Sequence, residues 1–178
     1  VQECFEEASV LAAQELFEAW PRSVPWVHIP VPKVKATNFY QASRAATYVS
    51  LVQGSVVEEG GWIVLEASCE EGLGHGLGEQ ACARAMGRGV AALQRELFEG
   101  RNPPLEGGEQ RAYVLAKALR AHRIALIGAP SMEPLASMGI PQFKTLEQAC
   151  DQLGLHEDHG ARIEHPFHRV PRRAGMPR

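Results

Sequence analysis

The stretch WIVLEASCEEGLGHGLGEQA, residues 62–81, runs from an apolar segment through a glycine-rich loop into a helix-forming segment. Its apolar, β-branched beginning predicts a buried strand, and Glu79 and Gln80 favour the start of a helix. A loop between a strand and a helix is where α/β folds commonly bind anions. A flexible turn without a ligand is the alternative interpretation of this loop.

The rest of the chain repeats the alternation of strand and helix. Strands are predicted in VPWVHIPV (residues 24–31), GGWIVLEAS (60–68), RIALIGA (123–129) and ARIEHPF (161–167). Helices are predicted over residues 3–20, 38–52, 78–98, 109–122 and 145–153. This order indicates a three-layer α/β fold of Rossmann-like type, with a mostly parallel sheet and helices on both faces. The α/β domain is expected to span residues 24–168, before a basic tail over 169–178 that is mobile at its end.

Composition narrows the class of protein. A chain of 178 residues is expected to form one domain, or one domain with appendages, and a net charge of −3 gives no reason to expect nucleic acid as a partner. The apolar runs are too short to span a membrane. Four cysteines without a CxxC pair are expected to be reduced thiols, which is typical of a cytoplasmic protein.

The glycine loop does not match a known nucleotide motif. In a G-x-G-x-x-G pattern, the third glycine would fall on Leu77 or on Glu79, and no Gly-Lys-Ser/Thr follows. Glu70 and Glu71 follow the strand at the sheet edge where α/β folds usually bind ligands. A solvated pair of carboxylates is the alternative for these two residues.

The segment NFYQASR, residues 38–44, carries a candidate anion site. Asn38 has the character of an N-cap, and Gln41 three residues later fits a capping box. Arg44 fits less easily, because a cation near a helix start opposes the helix dipole. Tyr40, Gln41 and Arg44 cluster by helical spacing and would hold a carboxylate or a phosphate. A solvated basic face is the alternative, and the basic loop just upstream contains Lys33 and Lys35.

The histidines do not predict a metal site. The segment HEDHGARIEHPFH contains two H-x-x-H pairs formed by His156, His159, His165 and His168. Gly160 and Pro166 interrupt any helix that would place the members of a pair on one face. His75 in the glycine loop has the chemistry of a general acid or base, but an exposed loop histidine is the simpler interpretation. No catalytic triad spacing is visible, and no metal ligand set is expected.

Several of these segments together resemble a known family. NFYQASRA, VVEEGGWIVLEASCEEGLG and GGEQRAYVLAKAL occur in this order before RIALIGA, and EHPFHRVP follows near the end. Over about residues 24–153, this order resembles the C-terminal domain of the lactate racemase family, the nickel-dependent 2-hydroxyacid racemases and epimerases.

The resemblance implies that this chain is one half of an isomerase. An N-terminal domain would hold the nickel–pincer nucleotide and the catalytic residues, whereas this chain would bind no cofactor and would not catalyse alone. The chain would close over a small 2-hydroxy acid, and the segment 1–23 would connect the two domains. Gln41 and Arg44, with Tyr40 beside them, would reach the substrate carboxylate. The loop containing Glu71, Gly72 and Gly74 would face the cleft.

Two departures from the family pattern affect the expected substrate. Arg44 stands where lactate racemase has lysine, so a bidentate grip on the acid is expected. The loop before Asn38 reads PKVKAT in place of a glycine-rich loop with an aspartate. Both differences favour an acid other than lactate. Two other hypotheses stay open: a stand-alone anion-binding or regulatory module, and an unrelated nucleotide-binding α/β domain.

Overall fold

A computed structural model describes residues 15–100 and 105–175. The chain folds into α-helices and β-strands that alternate through most of its length. The strands are β1 (Phe17–Trp20), β2 (Val24–Pro30), β3 (Val57–Glu66), β4 (Arg123–Ile127), β5 (Gln142–Phe143), β6 (Gly160–Arg162) and β7 (Val170–Arg173). The helices are α1 (Lys33–Ala36), α2 (Phe39–Leu51), α3 (Leu77–Gly87), α4 (Val90–Phe98), α5 (Gln110–Ala121), α6 (Glu133–Ser137) and α7 (Leu146–Leu153).

The central sheet has five strands in the order β5-β4-β3-β2-β6, and all four pairings are parallel. Helices cover both faces of this sheet, which confirms the predicted three-layer α/β fold. One face packs on α2, α3, α4 and α5 through residues such as Ile63 and Phe39. The other face packs on α7 through Trp26, Val64 and Cys150. Since both faces are covered, the central strands are apolar on both sides.

The N-terminal helix prediction is wrong at its end. Within the described residues the helical part stops at Leu16, and β1 follows as a strand. β1 pairs in parallel with β7, which lies in the segment expected to be a basic tail. The guanidinium of Arg172 stacks over the ring of Phe17, with the two centres 4.7 Å apart. A partner strand more than 150 residues away therefore overrides the local helical pattern, as tertiary context often does. The remainder of the predicted helix, residues 3–14, lies outside the described residues.

The single helix predicted over residues 78–98 is two helices, α3 and α4. The chain turns at Gly89, whose φ of 85° and ψ of 152° belong to a region that only glycine adopts readily. Met86 and Leu93 are both buried on the two sides of this turn. The hydrophobic spacing is thus correct for both helices, although it does not show the change of direction between them.

Within the described residues, no helix combines the length and the apolar character that crossing a membrane requires.

Candidate functional site

The candidate site begins at Asn38, the N-cap of α2. Asn38 Oδ1 accepts a hydrogen bond from the backbone N–H of Gln41 at 3.0 Å, as predicted for a cap. The other half of the predicted capping box does not form, because Gln41 Oε1 accepts no hydrogen bond from the Asn38 backbone N–H. Asn38 is buried, and its Nδ2 donates to Glu71 Oε2 at 3.2 Å and to Glu79 Oε1 at 3.3 Å.

Tyr40, Gln41 and Arg44 lie together on the first turns of α2. The Arg44 guanidinium lies 5.7 Å from the centroid of the Tyr40 ring, which is within the range of a cation–π contact. Gln41 Oε1 and Arg44 Nε are buried, yet neither has a hydrogen-bond partner among the described residues. Buried polar atoms without partners are rare and call for a ligand or water. The pair offers one acceptor and one charged donor to such a ligand.

The glycine loop lies directly beside the start of α2. β2 and β3 are neighbouring parallel strands, so the loops that follow them meet at the same edge of the sheet. The backbone N–H of Phe39 donates to Gly72 O at 2.8 Å, and that of Glu71 donates to Thr37 O at 2.9 Å. The fold thus brings the predicted loop residues Glu71, Gly72 and Gly74 next to the predicted anion-binding residues.

Glycine at position 108 is required by a close approach of two backbone segments. A Cβ placed on Gly108, whose φ is +103°, would overlap the backbone of Gly78. Gly78 is in the first turn of α3, and Gly108 lies just before α5. This contact fixes α3 and the glycine loop against α5. Gly78 and Gly108 thus help to position the glycine loop.

The glycine loop is unfavourable for phosphate. The backbone N–H of Gly76, at the start of α3, donates to Glu79 Oε2 at 2.8 Å. The exposed Glu70 and Glu71 add further negative charge to the same loop. Because the Glu79 carboxylate takes up an N–H at the helix start and Glu70 and Glu71 would repel a phosphate, these residues disfavour the nucleotide-binding hypothesis.

A cavity of about 400 Å³ lies beside Arg44. Its walls bring Arg44 together with Lys35 from α1 and His168 from the segment before β7. Tyr48 and Phe167 form the aromatic part of the wall, with ring centroids 6.0 Å apart in an edge-to-face arrangement. Such a mixture of basic and aromatic side chains suits a small organic anion. Of the four histidines in the two H-x-x-H pairs, His168 lines this cavity.

Sequence reasoning missed Arg111, the second residue of α5. Its Nη1 donates to Thr47 Oγ1 of α2 at 2.9 Å, so it lies beside the helix that carries Arg44. Burial lowers the pKa of Arg111, and the nearby Arg44 lowers it further. The sequence contained the same kind of signal as for Arg44, because a cation near the start of a helix opposes the helix dipole.

A second missed group lies on the opposite face of the sheet. His28 is buried, and its Nε2 is 2.8 Å from Oε2 of Glu66, whose side chain is about half exposed. Burial lowers the pKa of His28, while the hydrogen bond to Glu66 acts in the opposite direction. His28 belongs to β2 and pairs in register with Val64 of β3, so the dyad is built into two central strands.

The remaining candidates do not assemble into a reactive centre within the described residues. Cys69, Cys82 and Cys150 are free and buried, as expected for structural thiols. Burial raises the pKa of Cys69 and that of Cys82 to about 12, so neither thiol is an activated nucleophile. No group of three or more His, Cys, Asp or Glu side chains in the described part of the chain is arranged to hold a metal ion.

Comparison with known proteins supports the fold. No family model matches the sequence, and no curated protein matches it. Among solved structures, the chain is similar to the lactate racemase apoprotein from Thermoanaerobacterium thermosaccharolyticum, with a TM-score of 0.65 and 18% identity. It is also similar to a structural-genomics protein from Thermotoga maritima, with a TM-score of 0.57 and 10% identity.

These similarities include nearly the whole of this chain but less than half of each other protein. They cover 94% and 96% of this chain, and 40% and 42% of the lactate racemase and the Thermotoga protein, respectively. At such low identity the similarity establishes a shared α/β fold. The chain therefore shares the fold of less than half of the lactate racemase apoprotein's length.

Proposed function

We propose that this chain is the substrate-closing domain of a 2-hydroxyacid racemase or epimerase that resembles lactate racemase. The observation that carries the proposal is the pair of buried, unpartnered atoms Gln41 Oε1 and Arg44 Nε. These residues stand where the family resemblance places the contact with the substrate carboxylate. The structural similarity to lactate racemase over 94% of this chain supports the same assignment.

The chemistry of the two side chains matches a 2-hydroxy acid. The Arg44 Nε–H donates to a carboxylate oxygen, and the positive charge strengthens that bond. Gln41 Oε1 accepts a hydrogen bond from the hydroxyl group on the neighbouring carbon. A carboxylate alone would satisfy the donor and leave the acceptor unpaired. An acid with an adjacent hydroxyl group satisfies both atoms.

Nickel would enter the reaction through another domain. The described residues bring no three metal donors together, so they do not fit a nickel site. This chain's contribution would be to bind the acid, orient it and help to exclude water from the cleft. The partner domain, expected to hold the nickel–pincer nucleotide, would supply the group that takes hydrogen from the substrate.

The test is to purify the protein that carries this sequence from its native cells and to measure its intact mass and its nickel content. Interconversion of 2-hydroxy acid enantiomers is measured on the same sample by chiral chromatography. We expect a chain much longer than 178 residues that contains nickel and interconverts the enantiomers. A protein of this length, without nickel and without activity, would contradict the proposal and favour a stand-alone anion-binding module.

A further inference from the structure

Arg111 has no acidic partner in the described part of the chain. The ion pairs there are His28–Glu66, Arg84–Glu106, Arg88–Glu96 and Arg162–Glu164, and none of them includes Arg111 or Arg44. The hydrogen bond that Arg111 donates goes to the neutral hydroxyl of Thr47. A half-buried guanidinium ordinarily pairs with a carboxylate or phosphate, because leaving its charge uncompensated is costly.

The nearby positive charge of Arg44 adds to the cost of burying the uncompensated charge of Arg111. Arg44 is close enough to Arg111 to lower its pKa, although burial of Arg111 is the larger cause. Thr47 links the two residues, since its Oγ1 donates to Arg44 O at 3.0 Å while accepting from Arg111. Two like charges near each other in a partly buried setting repel, and an anion bound between or beside them relieves that repulsion.

Arg44 and Arg111 line two different cavities, and Tyr48 forms part of the wall of both. Arg44 lines the basic cavity of about 400 Å³, and Arg111 lines a second cavity of about 320 Å³. Tyr48 lines both of them. The walls of the second cavity are otherwise mainly apolar, with contributions from Phe17, Leu51, Val114 and Val170. The cavities that Arg44 and Arg111 line therefore adjoin at Tyr48.

We propose that Arg111 is a second anion-binding residue and that the acid bound here carries two negative charges, as a 2-hydroxy dicarboxylic acid does. One carboxylate is held at Arg44 and the other at Arg111. The inference rests on the proposed function for the first carboxylate alone. The second is assigned from the position of Arg111, its lack of an acidic partner and the cavity that it lines.

The test compares two acids that differ by one carboxylate. Lactate and 2-hydroxysuccinate are titrated by calorimetry, at constant ionic strength, into the full-length protein that carries this sequence. We expect 2-hydroxysuccinate to bind about tenfold to hundredfold more tightly than lactate, the ratio typical of one added charge-assisted hydrogen bond. In Arg111→Gln this advantage is lost while the affinity for lactate is nearly unchanged. Arg111→Lys, which keeps the charge, retains part of it.

Matched controls separate the role of Arg111 from the stability of the fold. Lys117 is an exposed cation on the same helix, so Lys117→Gln loses the same charge and should keep the advantage of the dicarboxylate. Thermal unfolding of each variant shows that the fold is intact. Equal affinities for both acids, with lactate binding dependent on Arg44, would overturn this inference and leave the proposed function standing. Binding of neither acid would overturn both.

Discussion

Gln41 and Arg44 differ from most polar residues of this chain because each has a buried polar atom without a partner. Their clustering was predictable, since residues three apart on a helix share a face. Lys35, His168 and Arg111 could not be placed beside Arg44 from the sequence. They come from α1, the segment before β7 and α5, and only the tertiary fold brings them to one place.

His122 provides a prediction about pH at the scale of a single residue. Its Nε2 is 3.1 Å from Val57 O, and its Nδ1 is 2.8 Å from Ser50 Oγ. Because a carbonyl oxygen only accepts, Nε2 carries the proton, and the neutral ring fits the site. Burial lowers the pKa of His122 below its ordinary value of 6.5, so the unfolded chain binds a proton more readily.

It follows that the free energy of unfolding falls as the pH drops below about 6.5, and His28 contributes in the same direction. We expect His122→Gln to reduce this acid-dependent loss, because glutamine does not titrate. The measurement is urea unfolding between about pH 7.5 and pH 5.5, with the exposed His75→Gln as the control. An equally steep loss of stability in His122→Gln and in the wild type would contradict the prediction.

At the scale of elements, α2 was predictable and β1 was not. The N-cap Asn38 and the spacing of apolar residues are local signals, and the observed helix agrees with both. β1 and β7 are paired although almost the whole chain separates them in sequence, and a short stretch of sequence cannot predict such a pairing. The backbone conformation of Gly89 separates α3 from α4, and this change of direction cannot be predicted from the spacing of apolar residues.

The cap of α2 can be tested by Asn38→Asp. Asparagine and aspartate are equally good N-caps in general. Here, however, Asn38 Nδ2 donates to the carboxylates of both Glu71 and Glu79, and aspartate would replace that donor with a third negative charge. We expect a loss of about 1–3 kcal/mol in the free energy of unfolding at neutral pH, measured by urea unfolding.

The control for this substitution is Thr145→Asp at the N-cap of α7. The Thr145 hydroxyl accepts from the backbone N–H of Gln148 at 3.2 Å, as the Asn38 side chain does from that of Gln41. We expect a change of no more than about 0.5 kcal/mol there. Equal effects of the two substitutions in urea unfolding would show that Glu71 and Glu79 do not matter to the cap.

The contact between the glycine loop region and α5 can be tested at adjacent glycines. A Cβ on Gly108 would overlap the backbone of Gly78, whereas a Cβ on Gly107 would meet no atom within 4 Å. We expect Gly108→Ala to lower the free energy of unfolding by about 2 kcal/mol or more, and Gly107→Ala to change it little. Chemical denaturation measures both. A Gly108→Ala variant as stable as Gly107→Ala would show that the close approach is not required.

At the scale of the whole molecule, the sheet explains why the site lies where it does. The neighbouring parallel strands β2 and β3 deliver the start of α2 and the glycine loop to one edge. Alternating strands and helices were enough to predict this architecture, because parallel sheets require crossover helices. The lactate racemase structure is much longer than this chain, and the match covers 40% of the lactate racemase. Our proposal that this chain closes over a substrate held by another domain starts from these two facts.

The most direct measurement is a ¹H–¹⁵N NMR titration that follows the arginine Nε–H signals as lactate is added. The Arg44 Nε–H has no partner among the described residues, so a carboxylate bound there should shift its signal strongly and to saturation. The signal of Arg123, whose Nε donates to Gly60 O at 2.6 Å, serves as the internal control and should stay in place. Arg44→Gln, which removes both the Nε–H and the charge, should lose the signal and weaken binding. An unchanged Arg44 signal at saturating lactate, or equal shifts at Arg44 and Arg123, would contradict the assignment of Arg44 to the substrate carboxylate.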